Sequence, residues 1–177
     1  MDEKSRLLPI TKADWGIKMG IRSTAKALIV RDGKILLNSC FDSYNGIYYS
    51  LPGGGQNQYE TMEQALIREC LEETGHKVRI ERFAALCEEI SMSEEYREMY
   101  PYYSHKIYHI FLCGIEQENA EEPTELDSEQ TGSEWIGFQE LSGIKLLPTL
   151  LGKNIKSILG MDMPFYLGSE RIEKNHG

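Results

Sequence analysis

The chain is short of three things: paired cysteines, long apolar runs and positive charge. Its four cysteines, Cys40, Cys70, Cys87 and Cys113, are widely spaced and form no Cys-X-X-Cys pair. That excludes a zinc knuckle and a disulfide-dense secreted scaffold, and leaves reduced, mostly buried thiols as the expectation. No segment approaches the roughly 18 apolar residues of a membrane span. The opening MDEKSRLLPITKADWG is charged and lacks the apolar core of a signal peptide, so a soluble, cytoplasmic protein with no membrane partner is expected. Nineteen basic residues against twenty-eight acidic ones leave a formal charge of −9. Such a surface repels a nucleic-acid backbone, so no polymeric nucleic acid partner is expected, whereas a small phosphorylated ligand carried with a cation is compatible.

What is present suffices for one domain: 177 residues with a 41% hydrophobic share. From Ser23, the runs STAKALIV and KILLNSCF flank Asp32-Gly33 and predict a hairpin. Both runs are too continuously apolar for a half-exposed sheet, so cover on both faces is expected. Asn45-Gly46 marks a turn, IYYSL a short strand, and Pro52 with three glycines a break. Strong helix formers run from about Glu60 to Thr74, with Gly75 as the stop. VRIERFAALCEEI, SHKIYHIFLCGI and SEWIGF read as strands. SMSEEYREMYPYY reads as a loop near the site, the acidic stretch 116–134 as a solvated loop, and Pro148 opens a last helix, TLLGKNIKSILG. The order predicts a mixed sheet between helices, an α/β or α+β sandwich. The main domain spans 21–165, between a lead-in over 1–20 that can serve as the arm of a homodimer and a tail over 166–177.

The most informative stretch is LPGGGQNQYETMEQALIRECLEETGHKV, residues 51–78. Glu69, Glu72 and Glu73 span an arc of roughly 100° on one helical face. Like charges that close repel one another, so a positive species between them is expected. Clustered hard oxygens suit Mg²⁺ or Mn²⁺, and two such ions would neutralise both the glutamates and a diphosphate. The glycines before the helix let backbone approach a metal or ligand where a side chain would collide.

From Gly54, five residues precede Glu60, seven more precede Arg68-Glu69, and Cys70, Leu71, Glu72, Glu73, Thr74 and Gly75 follow. This closely resembles the Nudix hydrolase signature, G-x5-E-x7-R-E-U-x-E-E-x-G-U, with U a bulky apolar residue. All seven fixed positions match. Cys70 is a small substitute at the first U, and His76 stands at the last, where an aliphatic side chain is usual. The resemblance implies the family's α/β/α sandwich and a metal-dependent hydrolysis of a nucleoside diphosphate linked to another group. Carried onto this chain, it makes Glu69, Glu72 and Glu73, with the Gly54 carbonyl, metal ligands, and Glu60 and Arg68 a supporting pair. Glu69 is the first choice of general base, with Glu129 or Glu134 behind it. The substrate class is a small nucleoside diphosphate derivative, such as the nucleotide sugar ADP-ribose, or a nucleoside triphosphate.

Other signals carry less. His105 and His109 lie about 13 Å apart if extended, too far to share one ion. Arg22 at the mouth of the first strand is either a phosphate partner or a surface arginine. Tyr48, with Tyr49, Tyr100, Tyr102 and Tyr103, either offers a ring to a base or packs the core and rim. Trp135 reads as core. The competing functions are a Nudix-like nucleotide-binding regulatory domain without chemistry and a diphosphate isomerase of related fold.

Overall fold

The computed structural model describes residues 20–117 and 120–173. The lead-in over 1–20, apart from Gly20, lies outside the described residues, as do the last four positions. Seven strands and three helices follow in the order β1 (Arg22–Arg31), β2 (Lys34–Asp42), β3 (Gly46–Ser50), α1 (Met62–Thr74), β4 (Val78–Ser91), α2 (Glu94–Met99), β5 (His105–Ile115), β6 (Gln130–Gly137), α3 (Thr149–Gly160) and β7 (Phe165–Ile172).

The sheet runs β3-β2-β1-β5-β4-β7, with β6 paired to the other edge of β2. It is mixed: β1 with β5 and β4 with β7 are parallel, the remaining pairs antiparallel. Two apolar layers cover it, as the continuously hydrophobic strands require. Ala25, Ala27, Ile29 and Leu36 meet Ala65, Leu66 and Cys70 of α1. On the opposite face Leu28, Leu37, Ala85 and Ile110 meet Leu151, Ile155 and Ile158 of α3. All four cysteines are buried free thiols. No described helix is long and apolar enough to cross a membrane.

The feature that builds the site is a fork in the sheet. β1 pairs with β2 only at Ile29–Arg31, beside the hairpin turn, while Asn38–Asp42 of β2 pairs with β3. The rest of β1 bonds instead to the chain leaving β3: Ala27 N–H donates to the Pro52 carbonyl, Ala25 N–H to Gly54, and Gln56 N–H to Ser23. Gly53 has φ +117°, and a Cβ there would meet the Ala25 carbonyl oxygen at 2.2 Å. Only glycine allows this approach.

Three sequence readings are corrected here. The segment 92–104 is not loop throughout, because α2 forms within it, capped by the Ser93 side chain on Tyr96 N–H. Gln130–Gly132, assigned to the acidic loop, are strand, since β6 pairs with β2 from Cys40 onward. Residues 166–172, within the stretch read as a tail, belong to β7 beside Ala85–Ser91. Alternate side chains of β7 are half-buried and exposed, the pattern of an edge strand with one face on the core, in contact with α3.

Candidate active site

Helix α1 is fixed at both ends. Thr61 and Gln64 form a capping box, and Gly75, in the left-handed region, donates its N–H to the Leu71 carbonyl. With Ala65, Leu66 and Cys70 held against the sheet, Glu69 packs on Gly54 and Glu73 bonds Gly53, while Glu72 reaches Arg68.

Arg68 gathers the acids. Its Nε and Nη2 grip both oxygens of Glu60 at 2.8 and 3.0 Å, and Nη1 donates to Glu69 at 2.7 Å and Glu72 at 3.0 Å. Nη2 also reaches the Gly55 carbonyl at 3.2 Å. Those hydrogen bonds hold the Glu60 carboxyl below its usual range. A planar multi-donor guanidinium can serve three carboxylates together; an ammonium cannot do so in this geometry.

Glu73 turns inward and is 2% exposed. One oxygen accepts Gly53 N–H and Asn38 Nδ2, both at 2.8 Å. The other, Oε1, is buried without a hydrogen-bond partner. Burial pushes the Glu73 carboxyl up to about 7, against the pull of the Lys26 charge and the Gly53 N–H. Glu69 is also raised by burial, with Arg68 and Lys26 opposing.

The Gly54 carbonyl is taken by Ala25 N–H at 2.9 Å. The Gly53 carbonyl instead accepts from the Lys26 ammonium, as Gly55's does from Arg68. Among the described residues, no three carboxylate, imidazole or thiol groups converge on one point as a ready cage. Arg68, Asn38 and the Gly53 backbone answer the acids instead.

Across the glycine segment lies a cavity of about 460 Å³. Its walls carry Lys26, Tyr48, Tyr103, Lys106 and Glu129, with Pro148 and Leu151 of α3 on one side. Arg22 and Tyr103 also border an open groove that includes Glu60 and Glu69, so the cavity and the acids are neighbours. The Arg22 guanidinium sits 4.5 Å from the Tyr103 ring centre and 5.2 Å from that of Tyr102, which holds it at the junction. Tyr48 is 2% exposed, its hydroxyl donating to Glu129, and burial next to that carboxylate raises its pKa. Its ring is wall, not an exposed stacking face. Glu134 bonds Tyr49 on the outside, at 3.0 Å.

His105 faces Glu88 at 3.4 Å while His109 Nδ1 lies 3.1 Å from the Thr24 carbonyl, so the two do not meet. Trp135 is half-buried against the α1 layer, with the Arg31 guanidinium 4.5 Å over its ring. The sequence reading missed Lys26, Asn38 and Lys106. Lys26 carried a signal: a charge in the middle of STAKALIV has no structural reason to be there.

The NUDIX domain model matches residues 21–158. The chain belongs to the Nudix family. Among solved structures it is similar to a NUDIX hydrolase from Nitrosomonas europaea, with a TM-score of 0.63 and 20% identity over 80% of this chain and 90% of that one. It is also similar to a UDP-X diphosphatase, at 0.59 and 17% over 84% and 68%. An ADP-ribose pyrophosphatase from Streptococcus suis 89-1591 gives 0.53 and 20% over 83% and 99%. At these identities the likeness is one of fold. None of the curated proteins matches the chain in sequence.

Proposed function

We propose that the chain is a divalent-metal-dependent hydrolase that cleaves the diphosphate bond of a small nucleoside diphosphate derivative, a nucleotide sugar of the ADP-ribose kind or a nucleoside triphosphate. The observation that carries this reading is the buried Glu73 Oε1, unpartnered beside Glu69 and a glycine backbone that opens onto a cavity. An ionised carboxylate oxygen left dry and unbonded is costly, and a cation removes the cost. The donor set fits Mg²⁺ or Mn²⁺: Glu69, Glu72 and Glu73 are hard oxygens, and the Gly53 carbonyl is better placed than Gly54's to join them. Glu69 packs closely on Gly54, where a Cβ would lie 2.4 Å from its Oε2, so a larger residue there would push the carboxylate aside.

The bound ion would neutralise diphosphate oxygens and lower the pKa of an attacking water. The chain's own residues do the rest. Arg68 and Glu60 hold Glu69 and Glu72 in one rotamer each. Arg22, Lys26 and Lys106 line the cavity with positive charge, suited to a phosphoryl group that leaves the glycine segment. Glu69 remains the first choice to accept the water proton. Glu129 is the alternative from a later segment, because it faces the cavity while Glu134 does not.

Titrating Mg²⁺ against ADP-ribose, NADH, oxidised deoxynucleoside triphosphates and diadenosine polyphosphates tests the reading, with product release followed by chromatography. Turnover of at least one compound, dependent on the ion, is expected. No phosphate-containing product at any ion concentration, with nucleotide binding retained, would favour the purely regulatory alternative. Rearranged, unhydrolysed product seen by NMR would favour the isomerase.

A further inference from the structure

Lys26 lies between Ala25 and Ala27, both fully buried, on a strand that is otherwise apolar at its centre. Its side chain belongs to the face of Leu28, lines the cavity, and reaches the glycine segment from the side opposite α1. There the ammonium donates to the Gly53 carbonyl, while the N–H of the same residue donates to Glu73 at 2.8 Å. The Lys26 charge also acts on both Glu69 and Glu73, favouring their ionised forms against burial. Gly53 therefore carries a cation on its carbonyl and the Glu73 carboxylate on its N–H, and the other oxygen of that carboxylate, Oε1, is buried without a hydrogen bond.

We infer that Lys26 is the resident cation of the metal-free site, and that a divalent ion enters the corner formed by Glu69, Glu73 and Gly53 in exchange for the lysine ammonium. This rests on the metal-dependent reading given above. A compact charge on a flexible stem of four methylenes is the group suited to such an exchange. A divalent ion and an ammonium cannot share one carbonyl without strong repulsion. The released ammonium stays tethered to β1 and joins Arg22 and Lys106 on the cavity wall. Loading the site thus frees a third cation on the wall where phosphoryl oxygens would lie. The metal-free protein meanwhile keeps its acids compensated, at the expense of ion affinity.

The test is Mn²⁺ binding without nucleotide, read from the free-ion EPR signal and from calorimetry, in the natural protein, Lys26→Met and Lys26→Arg. With one competing charge removed, Lys26→Met is expected to bind Mn²⁺ about tenfold tighter or more. In chelator its Tm should fall below that of the natural protein and rise further on Mn²⁺ addition, while Lys26→Arg keeps the natural affinity to within about threefold. Unchanged or weaker Mn²⁺ binding by a folded Lys26→Met protein would overturn the exchange and leave metal dependence standing. Absence of Mn²⁺ binding in all three proteins would overturn both. If Lys26→Met does not fold, ¹⁵N-lysine NMR of the natural protein decides: the Lys26 signal should move with the same midpoint as Mg²⁺ binding, and a signal that stays fixed through saturation overturns the inference.

Discussion

Two charged side chains are each 2% exposed on opposite sides of the fork in the sheet, and they are satisfied in different ways. Glu73, on the α1 side, is held by hydrogen bonds from Gly53 N–H and Asn38. Lys106, on the cavity side, faces Glu89 at 4.0 Å, behind which Tyr108 also donates to the same carboxylate oxygen at 3.1 Å. Burial moves Glu73 up and Lys106 down, the latter to about 8, against the opposing pull of Glu89. Each is moved toward its neutral form. The anion is fixed by short hydrogen bonds, the cation by an ion pair between neighbouring strands. Buried ion pairs contribute little net stability against apolar replacements of similar size. Lys106 is therefore read as wall chemistry of the cavity, and Glu73 as part of the acid cluster.

Substitutions separate the two roles. The largest effect is expected for Glu73→Gln. If the carboxylate charge holds a catalytic ion, turnover falls by about a thousandfold or more while the unfolding midpoint changes little, because an amide oxygen can still accept Gly53 N–H. Near-natural turnover would remove Glu73 from the site. Lys106→Met should act on the fold first, lowering stability in urea by about 3–5 kcal/mol since it leaves the buried Glu89 charge without its cation, with Lys106→Met/Glu89→Gln recovering most of the loss. A single variant as stable as the natural protein would show that the pair is not coupled.

Arg68→Lys keeps its charge and loses the fork. A drop of about 10- to 100-fold in Mg²⁺ affinity or turnover is expected, measured by titration at fixed substrate. The smallest effect concerns His76, which is buried against Trp135 with a ring-centre distance of 6.1 Å. Burial, reinforced by the Arg31 charge, lowers its pKa below 6.5. The unfolded chain thus binds a proton first as pH falls, so stability declines below about pH 6.5 through this group. Thermal unfolding from pH 7.5 to 5 should show a shallower decline in His76→Leu.

The acid cluster was legible because its parts lie within one stretch of chain and obey helical spacing: Arg68 gathers Glu60, Glu69 and Glu72, while Glu73, on the same helix, turns inward to Gly53 and Asn38. The hairpin at Asp32-Gly33 and the helix stop at Gly75 were legible for the same local reason. The cavity was not. Arg22, Tyr48, Lys106, Glu129 and Leu151 converge only through strand order, and no local period reports which strands are neighbours. β7 escaped because Gly168, at φ +109°, and the charges after it mask its alternation, while its partner β4 lies some eighty residues earlier. Gly53 escaped for a subtler reason: three consecutive glycines announce a break without saying which carbonyl faces the acids.

β7 has a reach beyond its own pairing. Its Glu170 accepts the first amide of α3, from Thr149, at 2.9 Å, and α3 supplies Leu151 to the cavity wall. A protein shortened after position 164 would therefore forfeit more than one border strand: the acceptor that steadies the first turn of its last helix would go too, loosening the pocket where Leu151 stands.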